Sequence, residues 1–196
     1  MKIFAIVDFH GTTEILGSLL EKIKACAPDV VCFSGDVVKG HKRGDEWLNA
    51  KREGRAPSPS KEIEAEFIDD DGYLRKFYSE LNRLEIPILT IPGNMDAPKS
   101  RYFKQMEYIT ETNKNIYLIH GKRHTVGVID FIGYGGEINE PEEDYFVQIS
   151  SPSSMRTALE SELATLKSKR FVLLTHHPPR GERVDTEDGI THRGSD

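Results

Sequence analysis

The sequence predicts a layered α/β (α+β) fold in a single domain spanning residues 1–196, and three observations carry this. Short apolar runs alternate with stretches of helical period, several of those runs end abruptly in Asp, Asn or His, and no linker or repeat breaks the pattern. At 37% hydrophobic and 30% charged residues, the chain is long enough to bury one sizeable core.

Ile3 to Val7 is apolar and is cut off at Asp8, well short of a signal peptide or a membrane span, so it reads as the first buried strand. Ile15, Leu16, Leu19, Leu20 and Ile23 recur at helical spacing within Glu14 to Ala25, and Val30 to Phe33 is the next strand. Strand, helix, strand favours a parallel βαβ unit. Ile86 to Ile91 is a third strand, with Pro87 at its start and Pro92 at its end, because proline cannot donate to a sheet ladder. A helix from about Met155 to Ser168 precedes a strand at Phe171 to Thr175. Ile116 to Ile119 and the alternating run Thr125 to Ile132, bounded by Gly133-Tyr134-Gly135-Gly136, suggest strands that join antiparallel, so mixed sheets are expected.

Two stretches look inserted. Lys39 to Ser60 is rich in Lys, Arg, Gly, Pro and Ser, contains Trp47, and reads as a surface loop, a connection more readily than a lid. Glu62 to Leu84 reads as a long helix that Asp69-Asp70-Asp71-Gly72 weakens or interrupts.

The net charge of -6 disfavours non-specific binding to a nucleic-acid backbone, and no segment suits a membrane. Cys26 and Cys32 make no disulfide framework; they read as packing residues of a cytoplasmic protein.

Four motifs carry the chemistry: Asp8-Phe9-His10, Gly35-Asp36, Gly93-Asn94-Met95-Asp96 and His176-His177-Pro178-Pro179. In open α/β sheets ligands gather beyond the carboxyl ends of the strands. Four strand ends at one sheet edge would therefore bring Asp8, Asp36, Asn94 and His176 together. Carboxylate, imidazole and amide groups suit a pair of divalent metals, and so phosphoester chemistry. Either Asp8 or Asp36 alone would more often be a helix cap. The combination with His10, Asn94 and His176 favours metal binding.

These motifs, in this order, resemble those of the calcineurin-like metallophosphoesterases. The resemblance spans Ile3 to Pro179 and implies an αββα sandwich with mixed β-sheets. It implies that Asp8 and His10 bind one metal, that Asp36 bridges two, and that Asn94 and His176 bind the second, with His177 in the variable place of a His-x-Pro pattern. Two divalent ions are implied, manganese first, with iron, zinc, cobalt or nickel as alternatives. The implied substrate is a phosphomonoester or phosphodiester, hydrolysed by a metal-activated water.

The sequence departs from the family pattern twice. Met95 stands where the family often has histidine, and a thioether cannot donate a proton, so no catalytic acid is assigned. The family's closing Gly-His-x-His does not occur, which leads us to expect a domain shortened at its C-terminus, as a fragment or naturally. His192 is a remote candidate for a replacement ligand. The alternative function is a catalytically weakened metal-binding or protein-interaction module on the same scaffold. Asp96 either caps a helix beginning near Pro98 or orients a ligand. His41, His120 and His124 match no motif and read as surface or strand histidines. The bend at Gly133, Gly135 and Gly136 has a family counterpart near the site, although such clusters mostly mark turns. Without metal, Asp8 and Asp36 are expected to repel, making one of them easier to protonate.

Overall fold

The computed structural model describes residues 1–166 and 170–179, together with the backbone of 186–187 and 191–192. Strands β1 (Ile3–Ile6), β2 (Val30–Phe33), β3 (Ile88–Thr90) and β4 (Ile116–Leu118) form a parallel sheet in that order. Parallel neighbours need long crossovers, and here each is helical. A 3₁₀ turn at Thr13–Ile15 leads into α1 (Leu16–Cys26), α2 (His41–Glu53) and α3 (Lys61–Asn82) link β2 to β3, and α4 (Lys99–Thr112) links β3 to β4.

The chain then makes β5 (Lys122–Val126), β6 (Ile129–Tyr134), the short parallel pair β7 (Glu137–Ile138) and β8 (Ile149–Ser150), α5 (Pro152–Leu163) and β9 (Phe171–Thr175). The second sheet has the order β5-β6-β9, antiparallel then parallel. Beyond it, β10 (Thr186–Glu187) pairs antiparallel with β11 (Thr191–His192).

The period of two along a strand separates two cores. Val31, Phe33 and Ile88 pack on Leu20 and Ile23 of α1, Phe77 and Leu81 of α3, and Met106 of α4. Val30, Cys32 and Leu89, on the opposite face of the same strands, pack on Phe131 of β6 and Leu174 of β9. With α5 against β5 and β6, the layers run helix, sheet, sheet, helix, as expected. Burial pushes the Cys32 thiol up to about 12, which suits a packing residue, and both cysteines are free. No described helix is long and apolar enough to cross a membrane.

Several expectations are corrected. The run Thr125 to Ile132 is not one strand: it turns at Gly127, φ +61°, and splits between β5 and β6. Ile15 is exposed, because the 3₁₀ turn takes it out of phase with the buried face of α1. α5 starts earlier than expected, because the Ser151 side chain caps it by accepting the Ser154 N–H at 3.3 Å.

The largest correction is the first insertion, which is a helix over much of its length. Arg43 of α2 is 0% exposed and is held by two carboxylates of α3, Glu66 at 3.2 Å and Asp70 at 2.5 Å. Glu66 also accepts the Lys42 and Arg43 N–H groups, closing the open N-terminus of α2. The acidic run leaves α3 unbroken for a related reason. Asp70 faces Arg43, and Asp71 takes both Nε and Nη2 of Arg101 on α4. Trp47, Ile63, Phe67, Tyr145 and Phe146 form a third small core, which joins α2 and α3 to the β7–β8 connection.

Removing one partner from a buried ion cluster leaves charge uncompensated, at a cost of about 3–5 kcal/mol. Arg43→Ala is expected to destabilise the fold by that amount in urea denaturation, lowering the midpoint with the m-value unchanged. An unchanged midpoint would show that the cluster does not stabilise the fold.

Candidate functional site

The loops after β1 and β2 continue the pairing of their strands. The Asp8 N–H donates to the Gly35 carbonyl (3.1 Å), His10 N–H to Asp36 (2.9 Å) and Gly11 N–H to Val37 (2.7 Å). The loops also turn sharply. Asp8, His10 and Asp36 lie at φ +57°, +46° and +59°, in the left-handed region that costs a non-glycine residue about 1–3 kcal/mol. Strain concentrated on three side chains of one cluster points to a functional site. Gly35, at φ +99°, has no room for a side chain, since a Cβ would collide with the Gly93 backbone.

Asp96 resolves the choice between cap and support. The first N–H of α4, that of Lys99, goes to Asp144 at 2.7 Å and not to Asp96, whose carboxylate points into the loop after β2. Asp96 is 1% exposed and accepts four backbone N–H groups, from Asp36 (2.9 Å), Val37 (3.1 Å), Val38 (3.3 Å) and Gly93 (2.8 Å). It therefore locks the β2 and β3 loops together.

Asp36 sits at the centre of the cluster. Its Oδ1 accepts the Met95 N–H at 2.8 Å, and its Oδ2 lies 3.6 Å from Nε2 of both His10 and His176. Ligand atoms of Asp8, His10 and Asp36 all fall within 4.8 Å of one another. On the other side, His176 Nε2 lies 3.0 Å from Asn94 Oδ1. The five predicted residues thus come together around one carboxylate. His176 arrives differently from the prediction: Asp8, Asp36 and Asn94 follow β1, β2 and β3 of one sheet, whereas His176 follows β9 of the other. The site bridges the ends of both sheets.

The donor set fits a cation. His176 Nδ1 lies 2.8 Å from the Ser34 carbonyl, which only accepts, so Nδ1 carries the proton. In the neutral ring the Nε2 lone pair then faces Asp36 Oδ2 and Asn94 Oδ1, both acceptors. A metal satisfies such a set, and an imidazole held through its other nitrogen is a usual ligand arrangement. The side chain of His192 lies outside the described residues.

Burial pushes the Asp36 carboxyl up to about 6; His176 opposes this, Asp96 adds to it, and the Met95 N–H and His10 oppose it. The acidic neighbour that matters is Asp96, not Asp8 as expected. His120 is a contributor that the motifs did not reveal. Its Nδ1 accepts the Gly135 N–H at 2.9 Å and its ring packs on Tyr134, while Gly136 donates to the Pro92 carbonyl, so it helps to anchor the glycine bend beside the β3 loop. Burial pushes its pKa down to about 4, with Lys99 and Lys122 reinforcing the shift.

Comparison with known proteins agrees with this architecture. A family model described as metallophosphoesterase, calcineurin superfamily, matches residues 1–196. One crystal structure is 26% identical with a TM-score of 0.83, covering 99% of this chain and 76% of its own. TT1561 of Thermus thermophilus is 17% identical with a TM-score of 0.72, covering 98% of this chain and 72% of its own, and shares the fold. No curated protein matches the sequence.

Two outcomes follow for the metal-free protein. Asp96→Ala leaves four buried N–H groups without their acceptor, and hydrogen bonds to a charged group contribute about 1.5–3 kcal/mol each. A loss of at least about 3 kcal/mol is expected by urea denaturation. The second outcome concerns pH. Asp36 binds its proton more tightly when folded, so its contribution to stability is full below 3.8 and is lost as pH rises through about 6. His120 acts in the opposite sense, its contribution being full above 6.5 and lost as pH falls through about 4. The two oppose each other across one window. In chelator, Asp36→Asn is expected to lose stability more steeply than the parent between pH 6.5 and 4; parallel curves would refute the opposition.

Proposed function

The chain belongs to the calcineurin superfamily of metallophosphoesterases, and on that premise we propose that it is a metal-dependent hydrolase of a phosphomonoester or phosphodiester, working through a dinuclear site. The observation that carries this reading is Asp36 Oδ2, 3.6 Å from the Nε2 atoms of two histidines, His10 of the β1 loop and His176 after β9. In this reading Asp8, His10 and Asp36 hold one ion, and Asp36, Asn94 and His176 the other.

A pair of divalent ions, manganese foremost, supplies a water of lowered pKa and a positive field for the phosphoryl oxygens. The chain's own residues set up that chemistry. Asp8 and Asp36 neutralise only part of the charge of two divalent ions, and Asn94 adds an oxygen without adding charge. The Ser34 carbonyl orients His176. The Met95 N–H occupies Asp36 Oδ1, so Oδ2 is the carboxylate oxygen that would be free to hold metal. Asp96 holds the loop bearing Asp36 rigid, so the ligand oxygens need little reorganisation on loading.

One observation favours a second reading, a metal-binding or interaction module of weakened activity. The Met95 side chain packs on α2 and has no proton to give, so the usual donor position is not available for acid catalysis.

Manganese is expected to support turnover of p-nitrophenyl phosphate or bis-p-nitrophenyl phosphate, with at least roughly a hundred-fold loss in Asp36→Asn, the scale on which removal of a charge-stabilising group acts. A folded parent that turns over neither ester with manganese or the other candidate metals would exclude the hydrolase reading. A metal that binds only the folded state raises the melting temperature by mass action. Because its carboxylate ligands must be ionised and burial pushes the Asp36 carboxyl up to about 6, that rise is expected to be larger at pH 7.5 than at pH 5. An equal rise at both pH values would place the metal elsewhere, and a rise without turnover would favour the binding module.

A further inference from the structure

The helix inserted after β2 is built into the site, although no residue of it belongs to the ligand cluster. Its first residue, His41, is exposed, and its ring lies 5.9 Å from the ring of His10, centroid to centroid. Two features fix it there. Met95 fills the space beside the first turn of α2 so closely that a Cβ on Gly40 or Gly44 would come within 2.9 or 2.7 Å of its methyl carbon. Arg43 is buried between Glu66 and Asp70 and donates through Nη2 to the Met95 carbonyl. A fully buried arginine is costly unless its partners hold it well, and here that arrangement stitches the turn bearing His41 to the residue whose N–H restrains Asp36.

Two of the neighbouring cations are engaged elsewhere. Arg43 has no exposed surface, and Lys39 Nζ sits 5.3 Å over the ring of Tyr73. His41 thus presents a ring N–H donor beside the mouth of the cluster, on the His10 side. Phosphoryl oxygens brought to that cluster carry lone pairs in need of donors.

We propose that His41 is a substrate-contacting residue of this site, donating a hydrogen bond to a phosphoryl oxygen of the bound ester. The inference rests on the phosphoesterase reading above. It gives the first insertion a role in substrate binding, with Met95 as the packing residue that seats α2.

Calorimetry of inorganic phosphate binding to the manganese-loaded full chain tests it, together with the manganese-induced rise in melting temperature. His41→Ala is expected to weaken phosphate binding about ten-fold, the loss typical of one hydrogen bond to a charged group. It is also expected to raise KM for an aryl phosphate while leaving the manganese-induced rise unchanged. His41→Gln, which keeps an N–H donor, is expected to recover most of the affinity. Equal phosphate affinity in parent and His41→Ala would overturn the proposal while leaving the phosphoesterase reading intact. A smaller manganese-induced rise in His41→Ala would overturn it in favour of a metal-ligand role. A parent that shows no manganese-induced rise would remove the metal site, and this contact with it.

Discussion

A carboxylate shut away from water needs donors, and Asp96 takes four from the backbone of two loops. Much else in the site depends on that constraint. Three of the four N–H groups belong to consecutive residues 36–38, so the chain after β2 must turn tightly around the carboxylate, and Asp36 takes up its left-handed conformation within that turn. The fourth belongs to Gly93, which brings the β3 loop against Gly35 so closely that neither glycine can carry a side chain. A site in which the backbone itself is clamped positions its side chains before any ligand arrives.

Around that clamp the two sheets divide the work. The parallel sheet supplies Asp8, His10, Asp36 and Asn94 from loops after three adjacent strands, and the second sheet supplies His176 from the end of β9. The face-to-face packing of Val30, Cys32 and Leu89 against Phe131 and Leu174 fixes how the two sets of strand ends meet. That core sets the separation between His176 and Asp36, because its contacts are apolar and close-packed and resist sliding of one sheet over the other. His120 extends the same arrangement, joining the start of the second sheet to the glycine bend beside Pro92.

The inserted helices add a third level. Helix α2 has few apolar residues to bury and is held chiefly by charge, through Arg43 against Glu66 and Asp70. Trp47 supplements this by packing with Ile63, Phe67 and Phe146, which draws in the β7–β8 connection. Met95 belongs to this level as well as to the site. Its N–H reaches Asp36, its carbonyl takes Arg43, and its side chain supports the turn that carries His41.

What the sequence alone determined is the local part of this architecture. Apolar runs ending in Asp8, Asp36, Asn94 and His176, and the order of those motifs, were enough to read the layered fold and the five residues that meet at the site. Hydrophobic periodicity and strand-end polarity are properties of neighbouring residues, so they are legible in a single chain. Tertiary structure decided the rest. Asp96 serves Asp36, 60 residues away, instead of the helix that follows it, and His176 reaches Ser34, 142 residues away, from a different sheet. The polar segment after Val38 becomes a helix because α3 offers buried carboxylates to Arg43, and His41 gains its place only through that docking. Such pairings depend on which surfaces pack and in what register, and a buried polar group takes whichever partner that packing brings within hydrogen-bond distance.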